Sequence, residues 1–341
     1  MALYRQYRPQ KFVEIVGQEH IKKTLLSALT HGKVSHAYIF VGPKGSGKTT
    51  TARLLAKSVN CYLYQNRKTF GEPCNKCLSC QEIALGKSLD VVEIDAASHT
   101  GVDNVRQLIE AVNFTPSQGR FKIYIIDEVH MLSKGAFNAL LKTLEEPPSH
   151  ALFVLATTEP SRVPATILSR AQRFDFHMGK LRELEELLTR VAKKEKIKIE
   201  REAIELLANL AQGSFRDALS LLDQLYTLKT TISVKQVRLV LGLSDELVAW
   251  QFLEKICQGK KEEALQIIKD LYQQGVNFLR FYDLLIAVLR EVLLFQAQGE
   301  IVDKERAEKL AAYLDKEKTV LWIEDLLEDR ARLGVYALPT L

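Results

Sequence analysis

Gly42-Pro43-Lys44-Gly45-Ser46-Gly47-Lys48-Thr49 is the stretch of sequence that decides the fold. It follows the apolar run Ala37–Val41 and precedes a helical pattern from Thr50 to Val59, which is the setting that a phosphate-binding loop requires. Glycines in such a loop let backbone N–H groups converge on phosphate, and the helix N-terminus adds positive potential. We expect Lys48 to reach the β- and γ-phosphates and Thr49 to bind magnesium. The pattern favours a nucleotide site over a chance glycine-rich turn.

Further apolar runs of strand length follow at Leu89–Ile94, Phe121–Ile126 and Leu152–Ala156. Continuous runs of this kind are typical of strands buried on both faces. Helical patterns lie between them, for example at Val102–Val112 and Ala136–Leu144. The alternation of strand and helix predicts an α/β domain with a parallel sheet and helices on its faces.

From about residue 180 the apolar spacing becomes helical, with no convincing strand. The predicted helices are Leu181–Lys194, Arg201–Leu210, Arg216–Leu228, Glu246–Ile256, Lys261–Gln274, Phe278–Gln296, Lys304–Tyr313 and Val320–Leu333. Gly242–Asp245 reads as a break followed by a helix start. We therefore predict an α/β domain over 1–179, a small helical domain over 180–241 and a larger helical domain over 242–341.

The composition is that of a globular protein: 341 residues, of which 47% are hydrophobic and 26% charged. No apolar run approaches the ~18 residues that a membrane span needs, and the N-terminus does not resemble a secretory signal. We therefore expect a cytoplasmic protein without a membrane partner. The net charge of +5 is mild, so it permits a nucleic-acid partner without requiring one.

Two adjacent carboxylates end the strand within Ile123–His130, namely Asp127 and Glu128. We expect Asp127 to hold magnesium through water and Glu128 to orient the water that attacks the γ-phosphate. The alternative is an acidic strand end that only caps the next helix. Because an intact phosphate loop lies about eighty residues upstream, the catalytic interpretation is favoured.

Several later residues are suited to sensing a nucleotide. Thr157 and Thr158 end the Leu152–Ala156 strand, where a hydroxyl is able to contact the γ-phosphate or the attacking water, although simple turn residues are the alternative. Arg170 and Arg216 each lie near a helix end. Such arginines usually form surface salt bridges, and the sharper hypothesis is a charge supplied to phosphate in cis or in trans.

Four of the five cysteines lie within twenty residues: Cys61, Cys74, Cys77 and Cys80. Four thiolates are the ligand set of a closed structural zinc site, and iron–sulfur clusters use four thiolates as well. Free buried cysteines are the third alternative. Cys257 lies on an apolar helix face, so we expect it to belong to a core.

Further motifs occur in an order that is specific to one protein family. Besides the phosphate loop and the cysteines, they are Tyr7-Arg8-Pro9, Val16-Gly17-Gln18-Glu19, Asp127-Glu128-Val129-His130, Leu140–Pro148, Ala156-Thr157-Thr158, Ser169-Arg170 and Gly213–Gln224. Together they closely resemble the gamma/tau subunit family of bacterial DNA polymerase III, over essentially the whole chain.

The resemblance implies an AAA+ P-loop ATPase with a helical lid and a helical collar domain for oligomerisation. It implies the motor of a sliding-clamp loader in DNA replication, with ATP and Mg²⁺ as cofactors. The expected partners are delta-type and delta-prime-type subunits and further gamma/tau copies in a hetero-pentamer, the β clamp, and primed DNA bound without sequence specificity. Nucleotidyltransferase activity would come only through membership of the polymerase holoenzyme.

The resemblance also implies roles for individual residues. Lys48 and Thr49 would be the phosphate-loop contacts, Asp127 the magnesium ligand and Glu128 the catalytic base. The remaining roles would be the first sensor for Thr158, the second sensor for Arg216, a finger reaching a neighbour's ATP for Arg170, and an adenine border for Arg8, Pro9, Val16 and Gly17.

The family has a zinc module where the cysteines lie, which favours Zn²⁺ in an insertion at about 61–80. The spacer between Cys61 and Cys74 is longer than is usual there, so Tyr62–Glu72 looks like a loop insertion. By family position, Ser133, Lys142 and Thr166 would face the DNA backbone. His99 and Gly101 stand where some relatives have basic residues.

Two rival functions are weighed against the motor. A non-hydrolysing structural subunit of the same complex would have a degenerate nucleotide site, whereas Lys48, Thr49, Asp127 and Glu128 are all intact. An AAA+ unfoldase that threads polypeptide would have an aromatic-hydrophobic pore-loop signature, and none is clear in this sequence.

Overall fold

The computed structural model of the chain describes residues 2–64, 70–98, 111–227, 230–241, 246–273, 275–299 and 304–333. Most of the predicted helix Val102–Val112 and the predicted break Gly242–Asp245 lie outside these residues, and so do His99 and Gly101. The chain forms two compact units, Met1–Thr231 and Ile232–Leu341.

A five-stranded sheet organises the first unit, in the order β2-β3-β4-β1-β5 with every pair parallel. The strands are β1 Ala37–Val41, β2 Val91–Asp95, β3 Lys122–Asp127, β4 Ala151–Thr157 and β5 Gln172–Asp175. Four of them confirm the apolar runs found in the sequence. The fifth, β5, was not predicted, because Phe174 is its one buried residue.

Strands β1, β3 and β4 carry apolar side chains into two separate cores, one on each face of the sheet. One core joins Phe40, Ile125 and Val154 to the helices Glu19–Thr30 and Lys48–Val59. The opposite core joins the alternate residues of the same strands to the helix Lys134–Glu145. The prediction of burial on both faces is wrong for β2, which is an edge strand whose residues are half-buried or exposed.

The helices of the first unit surround this sheet and continue beyond it. Among the described residues they are Leu3–Gln6, Glu19–Thr30, Lys48–Val59, Leu78–Leu85, Lys134–Glu145, Ala165–Leu168, Leu181–Lys194, Arg201–Leu210 and Phe215–Tyr226, with 3-10 turns at Phe12–Glu14, Tyr62–Tyr64, Val129–Met131 and Pro160–Arg162. The helix Glu19–Thr30 was not among those predicted. The last three helices form the lid, which this name denotes from here on.

The second unit is mainly helical in the part that the structure describes. Its helices are Val234–Val240, Glu246–Cys257, Lys261–Gln273, Phe278–Gln296, Lys304–Ala311 and Lys316–Leu333. Their core includes Leu253, Phe281 and Leu289, and Cys257 packs against it as expected. The last helix begins at Lys316 rather than at Val320, because the Asp315 carboxylate accepts the N–H of Lys318 at 2.8 Å and caps its first turn. Within the described residues, none of the helices has the length and apolarity to cross a bilayer.

Candidate nucleotide and metal sites

The parallel sheet brings three polar segments to one edge, where its strands end. Strand β4 lies between β1 and β3, and Val41 of β1 is in register with Thr157 of β4. The phosphate loop follows β1, the Asp127–Glu128 pair ends β3, and Thr158 follows β4. Ligands of open α/β sheets bind beyond the carboxyl ends of the strands. The loop and the acidic pair are therefore placed where a ligand would bind.

Lys48, Thr49, Asp127 and Glu128, which were selected from the sequence, meet at this edge. The Thr49 hydroxyl donates to Asp127 Oδ2 at 2.7 Å. The buried Lys48 ammonium donates to the carbonyls of Gly42 and Pro43, at 2.6 and 2.9 Å. Burial lowers the pKa of Lys48, and the nearby carboxylates of Glu128 and Asp127 oppose that shift. The arrangement joins a buried cation to a hydroxyl–carboxylate pair suited to Mg²⁺.

Thr158 holds the carboxylate of Glu128. Its hydroxyl donates to Glu128 Oε2 at 3.0 Å, and its backbone N–H reaches the same oxygen at 3.3 Å. Glu128 has a φ of 48°, an uncommon conformation for a residue other than glycine. Its side chain is therefore oriented by both the backbone turn and Thr158.

His130 is a buried polar residue behind this pair that the sequence did not single out for a role. Its Nδ1 lies 3.0 Å from the Thr157 hydroxyl and 3.5 Å from Glu128 Oε2, and its Nε2 lies 3.3 Å from Glu159 Oε1. A histidine among two carboxylates and a hydroxyl is fixed on both ring nitrogens. Its position two residues after Glu128 was the sequence signal that could have identified it.

Two glycines of the phosphate loop are required by close approach. A Cβ added at Gly42 would lie 2.4 Å from the Phe176 carbonyl, and one added at Gly45 would lie 2.0 Å from the Ser214 hydroxyl. Both glycines also have positive φ, at 152° and 79°. Ser214 begins the last lid helix and accepts the N–H of Asp217 at 3.2 Å. The loop therefore packs directly against the start of a lid helix.

A cavity of about 460 Å³ lies next to the loop, bounded by the lid and by the N-terminal strap, as we call residues 4–16. Such a volume is within the range of small-molecule sites. Of the four residues predicted to border adenine, Arg8, Pro9 and Val16 line the cavity. Gly17 follows Val16 but is not among the described lining residues. Burial, followed by the charge of Arg53, lowers the pKa of Arg8.

Two arginines of the lid face the cavity. Arg216, predicted as a sensor, lines it, and its guanidinium lies 5.0 Å from the centroid of the Tyr4 ring. Arg190 also lines the cavity and was missed, because it is an exposed charge on an amphipathic helix and such residues are common. Both charges are suited to an anionic ligand.

Arg170 is elsewhere on the molecule. It follows the helix Ala165–Leu168, and its guanidinium bonds Glu145 Oε1 at 2.5 Å and the Thr166 carbonyl at 2.7 Å. It is not among the described residues that line the cavity. The DNA candidates Ser133, Lys142 and Thr166 are exposed, and the Ser133 hydroxyl accepts the N–H of Ala136 as a helix cap at 3.2 Å.

The four clustered cysteines converge in space, with all Sγ atoms of Cys61, Cys74, Cys77 and Cys80 within 4.8 Å of one another. A tetrahedral zinc with bonds near 2.3 Å requires sulfur separations of about 3.8 Å, so a small contraction completes the site. The N–H groups of Lys76 and Cys77 approach Cys74 Sγ at 3.5 and 3.3 Å.

The environment of these sulfurs favours the thiolate at Cys74 and the thiol at Cys61 and Cys80. Burial works to raise the pKa of Cys74, but the two N–H groups and the neighbouring thiols outweigh it and lower that pKa to about 6. Burial raises the pKa of Cys61 and of Cys80. A metal ion would displace protons from these two sulfurs, because thiolate is the form that binds metal. The four cysteines are suited to a metal ion that is bound by four thiolates.

Comparison with solved structures gives the class of the fold. The Thermotoga maritima RuvB Holliday junction branch migration motor matches 91% of this chain and 99% of its own length, with a TM-score of 0.52 and 22% identity. At that identity the likeness concerns the fold alone. The parallel sheet, the phosphate loop and the lid define this chain as a protein of the AAA+ P-loop class.

Sequence relatives give the family. Residues 17–180 match the family described as DNA polymerase III, delta subunit, residues 183–227 the clamp loader subunit ATPase lid domain, and residues 232–321 the gamma and tau domain III. The chain is 45% identical to the DNA polymerase III subunit tau of Bacillus subtilis over 296 residues, covering 86% of this chain and 52% of that protein.

The DNA polymerase III subunit gamma of Buchnera aphidicola from Acyrthosiphon pisum is 40% identical, over 84% of this chain and 78% of its own length. This chain belongs to the gamma/tau family of DNA polymerase III subunits. It spans about half the length of the tau subunits that it matches.

Proposed function

We propose that this chain is the ATP-hydrolysing motor subunit of a bacterial sliding-clamp loader, which opens the β clamp and loads it onto primed DNA. One observation carries the proposal: Thr49 and Asp127, about eighty residues apart in sequence, share a 2.7 Å hydrogen bond beside the buried Lys48. Membership of the gamma/tau family supports the same function.

In this proposal, different residues at the edge of the sheet have different roles in ATP hydrolysis. Lys48 exchanges its bonds to loop carbonyls for the β- and γ-phosphates, and the loop N–H groups hold the same oxygens. Thr49 and Asp127 would hold Mg²⁺, which would supply positive charge next to the phosphates. Glu128, held by Thr158, orients the attacking water and accepts its proton.

The cavity walls supply the rest of nucleotide recognition. Arg8, Pro9, Val16 and the adjacent Gly17 border the base, and Arg216 senses the phosphate from the lid. Arg170 is proposed to act on the ATP of a neighbouring subunit, because it is not among the residues lining its own cavity.

For the whole chain we propose the three parts that the sequence predicts: a nucleotide-binding domain over 1–179, a small helical domain over 180–241 that contains the lid, and a collar over 242–341. The two compact units of the structure divide earlier, after Thr231. The four cysteines would hold Zn²⁺ in a structural role, since a closed four-thiolate site has no open position for catalysis. The proposed partners are delta-type and delta-prime-type subunits, further copies of this family, the β clamp and primed DNA in the cytoplasm. Polymerase activity would belong to the complex and not to this chain.

The test is ATP turnover by the chain assembled with its partner subunits, measured alone, with clamp, with primed DNA and with both. Strong joint stimulation by clamp and DNA is expected. The matched control is the assembly containing Lys48→Ala, which should show no stimulated turnover. ATP hydrolysis that ignores clamp and DNA would contradict clamp loading, and absent hydrolysis would favour a structural subunit.

A further inference from the structure

Besides the nucleotide cavity and the cysteine cluster, the structure shows a direct connection between them. We propose that Glu72 is a positioning residue, which ties the metal-binding cysteine segment to the N-terminal strap and thereby tightens nucleotide binding. The inference rests on the proposed nucleotide-binding function, and it concerns residues that make no contact with the reaction itself.

The Glu72 carboxylate accepts hydrogen bonds from the backbone N–H groups of two consecutive strap residues. Its Oε2 accepts the N–H of Phe12 at 2.8 Å, and its Oε1 accepts the N–H of Val13 at 2.9 Å. The Tyr64 hydroxyl donates to the Glu72 carbonyl at 3.2 Å, which holds the backbone from which the carboxylate extends. Phe12 is fully buried in one core of the sheet, so these hydrogen bonds hold the strap at the point where it enters that core.

Two neighbours of the cluster hold the strap one step earlier, at Gln10. Asn75, between Cys74 and Cys77, donates from its side chain to the Gln10 carbonyl at 3.0 Å. Lys57 donates from its buried ammonium to Gln10 Oε1 at 2.8 Å. Strap residues 10–13 are thus fixed from the cysteine segment and from the helix that precedes it.

The held part of the strap directly follows residues that line the nucleotide cavity. Arg8 and Pro9 immediately precede Gln10, and both belong to the cavity wall. At its other end the strap is held by the lid, because Gln6 and Tyr7 donate to the Glu195 carboxylate at 2.7 and 2.6 Å. Fixing residues 10–13 therefore limits the movement of Arg8 and Pro9, which lie between the two held parts of the strap.

A bound metal ion is relevant because it would hold together the segment that carries Glu72. Metal binding supplies folding free energy to a four-thiolate module, so its removal should loosen residues 72–75 and release the strap. Hydrogen bonds to a charged group are stronger than those between neutral groups, and part of their free energy is regained from water when they break. The resulting loss of nucleotide affinity is expected to be about tenfold.

The experiment measures the affinity of a fluorescent ATP analogue for the 341-residue chain, with metal bound and after removal by a chelator. Glu72→Ala should bind the analogue about tenfold more weakly than the parent, with Glu72→Gln between them. The matched control is Glu82→Gln, a carboxylate on the helix Leu78–Leu85 of the same segment. It should bind like the parent.

Two further measurements complete the experiment: the effect of metal removal on affinity, and hydrogen exchange at the strap. Metal removal should weaken the parent at least as much as Glu72→Ala does, because it also loosens Asn75. It should cost that variant less than it costs the parent, because both changes break the bonds from Glu72. Amide hydrogen exchange at Phe12 and Val13 should accelerate in Glu72→Ala and in the metal-free parent.

The outcomes separate the inference from the function on which it rests. Parental affinity in Glu72→Ala, or full additivity of that variant with metal removal, would overturn the role of Glu72. If the parent itself fails to bind the analogue, and Lys48→Ala is no different from it, the proposed nucleotide function falls, and the inference falls with it.

Discussion

At the scale of single residues, the position of Lys48 decides how the nucleotide site is built. Its ammonium is buried and bonded to two loop carbonyls, and the carboxylates of Asp127 and Glu128 lie near enough to favour its charge. Charge that is partly desolvated interacts more strongly with an anion than charge in water does. The site therefore presents a partly desolvated cation to an incoming phosphate.

Replacing Lys48 by Ala should abolish measurable ATP hydrolysis and leave the fold intact, because the lost charge serves phosphate and not an apolar core. We expect turnover to fall by roughly 10²–10³-fold or more, the usual cost of removing one preorganised donor. Turnover and thermal unfolding are the measurements, with the exposed Lys87→Ala as the control. A loss of cooperative unfolding at ordinary temperature would contradict the role of Lys48.

Glu128→Gln provides the contrast at the same edge of the sheet. An amide keeps the size of the side chain and its contact with Thr158 but cannot accept a proton, so ATP should bind and persist. Turnover should fall by roughly 10²–10⁴-fold, the range for a general base. Hydrolysis at the parental rate would mean that the base is another residue.

At the scale of elements, the segment that holds the cysteines packs against the sheet, because its residues Phe70 and Ile83 belong to one of the two cores. Cys61 lies two residues after the phosphate-loop helix, and Cys77 and Cys80 lie at the start of the helix Leu78–Leu85. Two helix ends therefore supply three of the four sulfurs, and Cys74 supplies the fourth. A central metal ion would join these parts of the chain.

We predict one zinc and no iron per chain, and a Cys77→Ser variant that loses most of its zinc. The loosened segment should raise the ATP concentration needed for half-maximal turnover and largely spare turnover at saturation, because the residues that hydrolyse ATP are on other elements. Elemental analysis and steady-state kinetics are the measurements. A brown chromophore with stoichiometric iron would contradict zinc, and a collapse of the saturated rate would contradict a structural role.

The sequence predicted those elements whose signal is local. The phosphate loop and the strands β1, β3 and β4 were recognised because one loop or one apolar run carries each pattern. Strand β5 was missed because it is an edge strand with one buried residue. The link from Glu72 to Phe12 was missed because it joins residues 60 positions apart, and nothing in either local sequence indicates the other.

At the scale of the whole molecule, the proposed trans role of Arg170 would require a second subunit to complete the site. Its guanidinium pairs with Glu145 on the surface, with about a third of the Arg170 side chain exposed. Surface ion pairs of this kind contribute ~0–1 kcal/mol, so a neighbour's phosphate is able to compete for the arginine. The residue is available to another subunit at little cost to its own fold.

Arg170→Ala should leave nucleotide binding by the isolated chain nearly unchanged and should lower turnover in the assembly, by up to ~10³–10⁵-fold if it acts as a finger. Mixing it with Lys48→Ala chains is the decisive measurement. Each variant keeps what the other lacks, so interfaces that pair an intact loop with an intact arginine should recover part of the activity. If the mixture co-assembles and recovers none, the trans role is wrong.

The contact between Gly45 and Ser214 has a consequence for regulation. Because the phosphate loop touches Ser214, the residue that caps a lid helix, a nucleotide that shifted the loop would also act on the lid. Thermodynamic coupling between two sites is symmetric. If a partner that binds the lid changes the affinity for nucleotide by some factor, nucleotide changes the affinity for that partner by the same factor. A partner that never touches ATP would thereby be able to set how tightly this chain retains it.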